Sequence, residues 1–155
     1  MIKINIKYSV NIKNNIPNKK IIKKWIKNII KKSIKKTIIT IKIVNKKTIK
    51  KLNYFYRKKN KKTNILSFSI INPKETNNKL LMGDLVICKS VVEKESKKYY
   101  IKIFERWAHI IIHGVLHLMG YSHNNLFNQK KMEKLEIKRM ISLGFKNPYF
   151  YNTKS

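Results

Sequence analysis

The chain has 155 residues, which is long enough for one domain of ordinary size and too short for two such domains. Its 37 Lys and Arg residues face only seven Asp and Glu residues, and the resulting formal charge of +30 would repel basic partners and attract polyanions such as nucleic acid. The single cysteine excludes an intramolecular disulfide framework, and because no stretch resembles a signal peptide or a membrane span, we expect a cytoplasmic protein.

The first third of the chain alternates between strand-like and helical patterns. Residues 1–10 alternate apolar and polar side chains and predict a strand. After Pro17, apolar residues recur at three-and-four spacing and predict an amphipathic helix: Ile22, Trp25, Ile26, Ile29, Ile30 and Ile34. The β-branched run at 37–44 predicts a second strand, and Asn45 is placed to cap a second helix that reaches about Tyr56.

Two more strands follow. A basic loop is predicted over 57–64, because nothing in it can form a hydrophobic stripe, and it leads into the strand-like stretch ILSFSI. A polar stretch at 72–79 then separates this strand from LLMGDLVIC, whose Leu, Val and Ile content predicts another strand.

The last part of the chain is helical. Helical patterns run from Lys89 to Gly120, and a final helix is predicted over about 125–142, with Gly144 as its stop. The apolar residues of that final helix are Met132, Leu135, Ile137, Met140 and Ile141. Because strands come early and helices late, we predict one α+β domain over 1–155, with a small mixed β-sheet packed with helices and an irregular tail over about 147–155.

All four histidines fall between residues 109 and 123. On a helix, His113 and His117 lie one turn apart, about 6 Å along the axis, so both imidazoles can bind one ion. His109 lies about 12 Å from His117 along the axis, so we expect it to support the site or pack in the core. Gly120 can end the helix in a left-handed conformation and return His123 to the other two.

Three neutral imidazoles leave a fourth coordination position open, which is typical of a catalytic rather than a structural zinc ion. They also leave the charge of the ion uncompensated, and such a site attracts an anion such as phosphate. The alternative is that the histidines only pack among the apolar residues of the helix. That explanation suits a lone histidine better than this combination of spacing, glycine and third histidine.

The spacing His-x-x-x-His-x-x-Gly-x-x-His is that of the metzincin proteases, in which Glu follows the first histidine as the general base. Gly114 holds that place here and cannot accept a proton, so a peptidase is the weakest hypothesis. Arg57 could hold a phosphate in fork geometry, although a surface cation is the commoner explanation. Asp84 could orient a ligand histidine or handle a proton, although an acid at a strand start is more often a turn residue.

Several stretches resemble the YbeY family of metal-dependent bacterial endoribonucleases, also called rRNA maturation factors. HGVLHLMGYSH is similar to the family signature His-Gly-x-Leu-His-Leu-x-Gly-Tyr-Asp-His, and MGDLVIC to its Gly-Asp-Ile-x-Ile strand. LNYFYRKKNKKTNILSFSI resembles its Leu-Asn-x-x-Tyr-Arg … Thr-Asp-Val-Leu-Ser-Phe segment, and MEKLEIKRMISLGFKNPY fits its last helix and Pro-Tyr tail. The likeness covers about residues 52–150. Ser122 and Asn64 stand where the family has Asp.

The resemblance implies a zincin-like site on a central helix, in which one Zn²⁺ is bound by His113, His117 and His123. It implies Arg57 as the functional arginine, and we expect Arg57 and His113 to be catalytic. Possible supporting residues around the ligands are Asp84, His109 and Ser122.

The resemblance further implies cleavage of single-stranded RNA in 16S rRNA 3′-end maturation and in ribosome quality control, with the small ribosomal subunit as partner. Neither membrane nor DNA is expected. The predicted RNA-binding residues are Arg57, Lys58, Lys59, Lys61 and Lys62, although a low-GC genome would also enrich surface lysines. The alternative is a ribosome-associated RNA-binding factor whose metal mainly stabilises the fold.

Overall fold

A four-stranded β-sheet and five α-helices make up residues 1–11, 13–77 and 79–150, the part of the chain that the computed structural model describes. The strands are β1 (Ile2–Tyr8), β2 (Lys36–Val44), β3 (Ile65–Ile71) and β4 (Leu80–Cys88). The helices are α1 (Lys19–Ile29), α2 (Lys46–Arg57), α3 (Lys89–Lys98), α4 (Ile103–Leu118) and α5 (Leu126–Ser142), and a 3₁₀ turn covers Pro73–Thr76. The predicted single α+β domain with a small mixed sheet is confirmed.

The sheet has the strand order β1-β2-β4-β3. β1 and β2 run parallel, as do β2 and β4, whereas β3 runs antiparallel to β4. Because successive strand residues point to opposite faces, Leu85 and Ile87 contribute to a large core with α1 and α4, and Val86 and Cys88 contribute to a smaller core with α2 and α3. β3 lies at one edge of the sheet, beside the end of α4 that carries the histidines.

Helix α4 occupies the centre of the molecule. It packs against β3, β4, α1, α3 and α5, and its residues Trp107, Ala108 and Ile111 are fully buried. A helix that is apolar nearly all round is expected to be enclosed by other elements, as α4 is. Within the described part of the chain, no helix is both long and apolar enough to cross a membrane.

Two details of the predicted elements differ from the structure, and the final helix adds a feature that its apolar pattern did not predict. Helix α1 ends at Ile29, because Ile30 is already extended, so Ile34 reaches the core from the loop that follows. Arg57 is the last residue of α2 and precedes the basic loop. On α5, Ile141 is 57% exposed, and Glu136 lies buried between Met132 and Met140. Of the tail predicted to be irregular, residues 151–155 lie outside the described part.

Candidate metal centre

The structure brings His113, His117 and His123 together. One ligand nitrogen from each lies within 4.8 Å of those of the other two, and the ring centroids are 4.6 to 5.6 Å apart. His113 and His117 face each other one turn apart on α4, with their Nε2 atoms 3.1 Å apart. The predicted three-histidine cluster on a central helix is confirmed.

Gly120 returns the chain so that His123 can join the cluster. Its φ is +102°, a value that a residue with a side chain rarely adopts. The Tyr121 N–H donates to the carbonyl of Leu116 and the Gly120 N–H donates to that of His117, which is the Schellman arrangement of a helix end. The predicted helix stop at Gly120 is therefore confirmed, and its reversal makes the third ligand possible.

The tautomer of His117 is set by the same turn. Its Nδ1 lies 3.0 Å from the carbonyl oxygen of Tyr121, which can only accept a hydrogen bond, so Nδ1 carries the proton. Burial, together with the nearby His113 and His123, lowers the pKa of His117 to about 4. The ring is neutral at neutral pH, and its Nε2 presents a lone pair to the cluster.

Glu136 orients the other helical ligand. Its Oε1 atom lies 3.3 Å from Nδ1 of His113 and 2.6 Å from Nε2 of His109, and it accepts a hydrogen bond from the Tyr149 hydroxyl at 2.9 Å. Burial alone would raise the pKa of Glu136, but the hydrogen bonds with His109 and His113 outweigh it and lower the pKa to about 2. The carboxylate accepts a hydrogen bond from Nδ1 of His113, so Nε2 is the nitrogen of this ring that faces the cluster.

Glu136 is absent from the site residues predicted from the sequence. The signal was present, because Glu136 lies four residues after Met132 and four before Met140, in the middle of the buried face of α5. An acid at such a position needs a buried partner, but its partners lie on α4 and in the segment after α5. The sequence does not reveal them.

A chain of hydrogen bonds continues behind Glu136. Burial lowers the pKa of His109, so that its ring is neutral, donates from Nε2 to Glu136, and accepts at Nδ1 from the Arg106 guanidinium at 3.3 Å. Arg106 pairs with Glu95 at 3.1 Å, and the amide of Asn64 donates to Glu95 at 3.2 Å. The structure thus places His109 outside the cluster, in contact with the carboxylate that orients His113.

The three ligands open into a cavity of about 660 Å³. Arg57 and Lys59 line this cavity together with His113, His117 and His123. The basic loop after α2 is held by buried Asn53, whose amide donates to the carbonyl of Lys61 at 2.9 Å. Two exposed cations therefore border the same space as the three ligand nitrogens.

The remaining predicted residues lie elsewhere. Asp84 points to the face of the sheet opposite α4, because its neighbours Gly83 and Leu85 face that helix, and it pairs with Lys42 at 3.7 Å. Ser122 donates to Asn124. Lys58, Lys61 and Lys62 lie in the loop but do not line the cavity, and the like charges of Lys94 and then Lys46 lower the pKa of Lys62.

The donor set fits a divalent metal ion. The Nε2 atoms of His113 and His117 face each other at 3.1 Å, a distance that two nitrogens bound to one zinc ion at about 2.0–2.1 Å can also have. His123 completes three imidazoles and leaves a position open toward the cavity. The arrangement can bind an ion with neutral ligands beside Arg57, a site suited to a phosphate.

Comparisons with known proteins agree with this geometry. A sequence profile described as Endoribonuclease YbeY matches residues 5–144. Endoribonuclease YbeY from Buchnera aphidicola subsp. Schizaphis graminum is 55% identical over 73 residues, which are 47% of this chain and 46% of that protein. The protein of that name from Buchnera aphidicola subsp. Baizongia pistaciae is 54% identical over 74 residues, or 48% of each chain. These matches span about half the length of the curated relatives.

A solved structure resembles the whole fold. The solution structure of a protein from Thermotoga maritima matches 93% of this chain and 92% of its own length, with a TM-score of 0.57. At 22% sequence identity, this likeness concerns the fold alone.

Proposed function

The chain belongs to the Endoribonuclease YbeY family, and from that premise we propose that it is a metal-dependent endoribonuclease that cuts single-stranded RNA. The observation that carries the proposal is the cluster of His113, His117 and His123 in a cavity lined by Arg57. An ion held there by neutral ligands keeps its charge, and Arg57 adds another, so the cavity is built for an anion. We extend the proposal to residues 1–155 as one catalytic domain.

His113, His117 and His123 would hold the ion, which we take to be Zn²⁺ from the all-imidazole donor set. Bound there, zinc would supply Lewis acidity toward a phosphate oxygen and lower the pKa of a water molecule. Arg57 neutralises charge on the phosphate, and its planar guanidinium suits two parallel hydrogen bonds to phosphate oxygens. His113 counts as catalytic in this scheme because it would contact the ion. Glu136 orients its ring so that Nε2 faces the ion.

The excess of cations supports RNA as the substrate. With 37 basic and seven acidic residues, the surface attracts a phosphate backbone, and Lys59 lines the cavity while Lys58, Lys61 and Lys62 add charge to the same loop. We propose that the substrate is the 3′ region of 16S rRNA in the small ribosomal subunit, processed in the cytoplasm during maturation and quality control. Binding should weaken as salt rises, by about 0.7 in log K per log unit of salt for each phosphate contacted.

The test is cleavage of a labelled single-stranded RNA and of its duplex by zinc-loaded protein. We expect the single strand to be cut, His113→Ala to be inactive, and Arg57→Ala to lose about 10²–10³-fold in rate, as for removal of one donor that stabilises transition-state charge. The control is Lys24→Ala, an exposed lysine on α1, which packs beside β1 at the sheet edge opposite β3.

Equal cutting by wild type and His113→Ala would identify a contaminating nuclease and overturn the proposal. Binding of RNA without cleavage under any metal would favour the RNA-binding factor with a structural ion. Full zinc stoichiometry in His117→Ala would show that the ligand assignment is wrong.

A further inference from the structure

Three aromatic rings form a continuous cluster at the end of α2, and two of them are exposed. Phe55 and Tyr56 meet edge to face with their centroids 5.0 Å apart, and Tyr56 meets Phe68 of β3 in the same way, also at 5.0 Å. We call Phe55, Tyr56 and Phe68 the aromatic platform. Phe55 is 67% and Tyr56 is 59% exposed, although the platform residues are large and apolar.

The position of Tyr56 on its helix makes this exposure unusual. Tyr56 follows the buried residues Ile49 and Asn53 at helical spacing, so it continues the face of α2 that packs on the sheet. At this point the helix has reached edge strand β3, and Tyr56 meets the partly buried ring of Phe68 there. Contiguous exposed apolar surface of this kind marks an interaction site more often than single exposed residues do.

The platform borders the proposed metal centre. Tyr56 and Phe68 line the same 660 Å³ cavity as His113, His117 and His123. The neighbour of Tyr56 in the chain, Arg57, lines it too, as does Lys59. A ligand that placed a phosphate between Arg57 and the histidines would therefore have its adjoining groups beside the Tyr56 ring.

The surrounding charge selects the kind of ligand. The platform is bordered by Arg57 and Lys59 and belongs to a chain with a formal charge of +30. Aromatic rings beside a line of cations are the combination with which proteins bind single-stranded nucleic acid, because bases stack on the rings while cations hold the phosphates. An acidic protein partner would pair its carboxylates with the cations, but carboxylates do not stack on aromatic rings.

We propose that Tyr56, supported edge to face by Phe68, is a stacking subsite for a nucleobase adjoining the phosphate held at the metal centre. This proposal rests on the proposed function, and it adds the Tyr56 ring as the group that favours single-stranded over duplex RNA. A base can reach the ring only if it has left its own stack, so the subsite favours single strands over duplexes. Every base has a ring face, so the preference is for strand state and not for sequence.

The test measures binding of a fluorescein-labelled 2′-O-methyl RNA strand to zinc-loaded protein, and a gel confirms that the strand stays intact during the measurement. We expect Tyr56→Leu, which keeps an apolar side chain but removes the ring, to bind about 5- to 150-fold more weakly. Tyr56→Phe should restore most of the affinity. Because no charge changes, the salt dependence of binding should stay as in wild type. Phe127→Leu serves as a matched control, since Phe127 is 77% exposed and does not line the cavity.

A strand that lacks one base at successive positions provides the second arm. At one position the missing base should weaken wild-type binding by the same factor as Tyr56→Leu does, and the two losses should not add. Equal affinity of Tyr56→Leu and wild type, or additive losses at every position, would overturn the subsite. If wild type cuts unmodified RNA in either of these cases, the proposed function survives alone. If wild-type protein neither binds nor cuts RNA, both proposals fail.

Discussion

Among single residues, Glu136 has the greatest influence on the proposed metal centre without being a ligand. Its carboxylate contacts both His109 and His113, and it is 1% exposed. A hydrogen bond from a ligand imidazole to a carboxylate fixes the ring orientation and raises the basicity of the ligating nitrogen. Metal affinity therefore depends on a residue of α5 that the ion would not touch.

We predict that Glu136→Gln lowers zinc affinity about 10–100-fold, because an amide is a weaker acceptor than a carboxylate for the His113 Nδ1–H. Competition with a chromogenic chelator measures the affinity, and urea unfolding checks that the variant is folded. Glu133→Gln is the matched control on α5, since Glu133 has no hydrogen bond to a histidine within residues 79–150. Unchanged affinity in Glu136→Gln would show that the carboxylate does not tune the site.

The contacts of Asn64 give a physical reason why an amide stands where the family motif has Asp. Its amide donates to Glu95, whose carboxylate also pairs with Arg106. An aspartate in the same place would set two carboxylates against each other, which is destabilising unless one is protonated. The amide thus suits the partner that this chain has at position 95.

At the scale of elements, the placement of α4 on the sheet decides where the ligands lie. A Cβ atom on Gly114 would lie 2.7 Å from Ile65 Cδ1 and 2.9 Å from Leu85 Cδ2, so the helix approaches β3 and β4 too closely for a side chain there. A Cβ atom on Gly83 of β4 would lie 2.6 Å from Leu118 Cδ2 and 2.9 Å from the backbone oxygen of Phe68. Two glycines on facing elements allow the close contact.

We predict that Gly83→Ala lowers the free energy of unfolding by about 1–3 kcal/mol, because overpacking against a backbone oxygen cannot be relieved by a rotamer change alone. Urea denaturation measures the effect. Ser69→Ala is the control, since Ser69 pairs with Gly83 in the sheet but is exposed on β3. A Gly83→Ala protein as stable as wild type would mean that β4 and α4 can separate without cost.

At the scale of the whole molecule, charge and acid stability are connected. The seven acidic residues offset few of the 37 basic ones, so protonating them at low pH adds to a large self-repulsion. The folded state also lowers the pKa of His117 to about 4 and that of Glu136 to about 2, from ordinary values of 6.5 and 4.5. Between each pair of values the unfolded chain binds more protons than the folded chain.

We therefore predict that the metal-free protein loses stability as pH falls, from about 6.5 to about 4 through His117 and from about 4.5 to about 2 through Glu136. Urea unfolding of metal-free protein at a series of pH values measures this. His117→Gln should reduce the slope in the upper window, where His109 also contributes because its pKa is lowered by burial, and leave the lower window unchanged. Stability that is constant or rises as pH falls through the upper window would contradict the prediction.

The main elements, the clustering of three histidines and the cationic character of this protein could be predicted from its sequence. Periods of two and 3.6 residues, capping residues such as Asn45 and the stop at Gly120 are local, and His113, His117 and His123 lie within eleven residues of one another. Local geometry therefore sufficed to predict that these three side chains meet. The residues alone left Arg57 as a possible phosphate-binding cation, and the family resemblance implied that it is functional.

The surroundings of the three histidines are visible only in the tertiary structure. Glu136 reaches His113 across 23 residues, and Phe68 supports Tyr56 from a different element. Asp84 lies on the face of the sheet opposite α4. The alternating pattern of a strand does not tell which of its two faces packs against a given helix. Such contacts depend on how α4 and α5 pack on the sheet, and packing joins residues whose spacing along the chain carries no periodic signal.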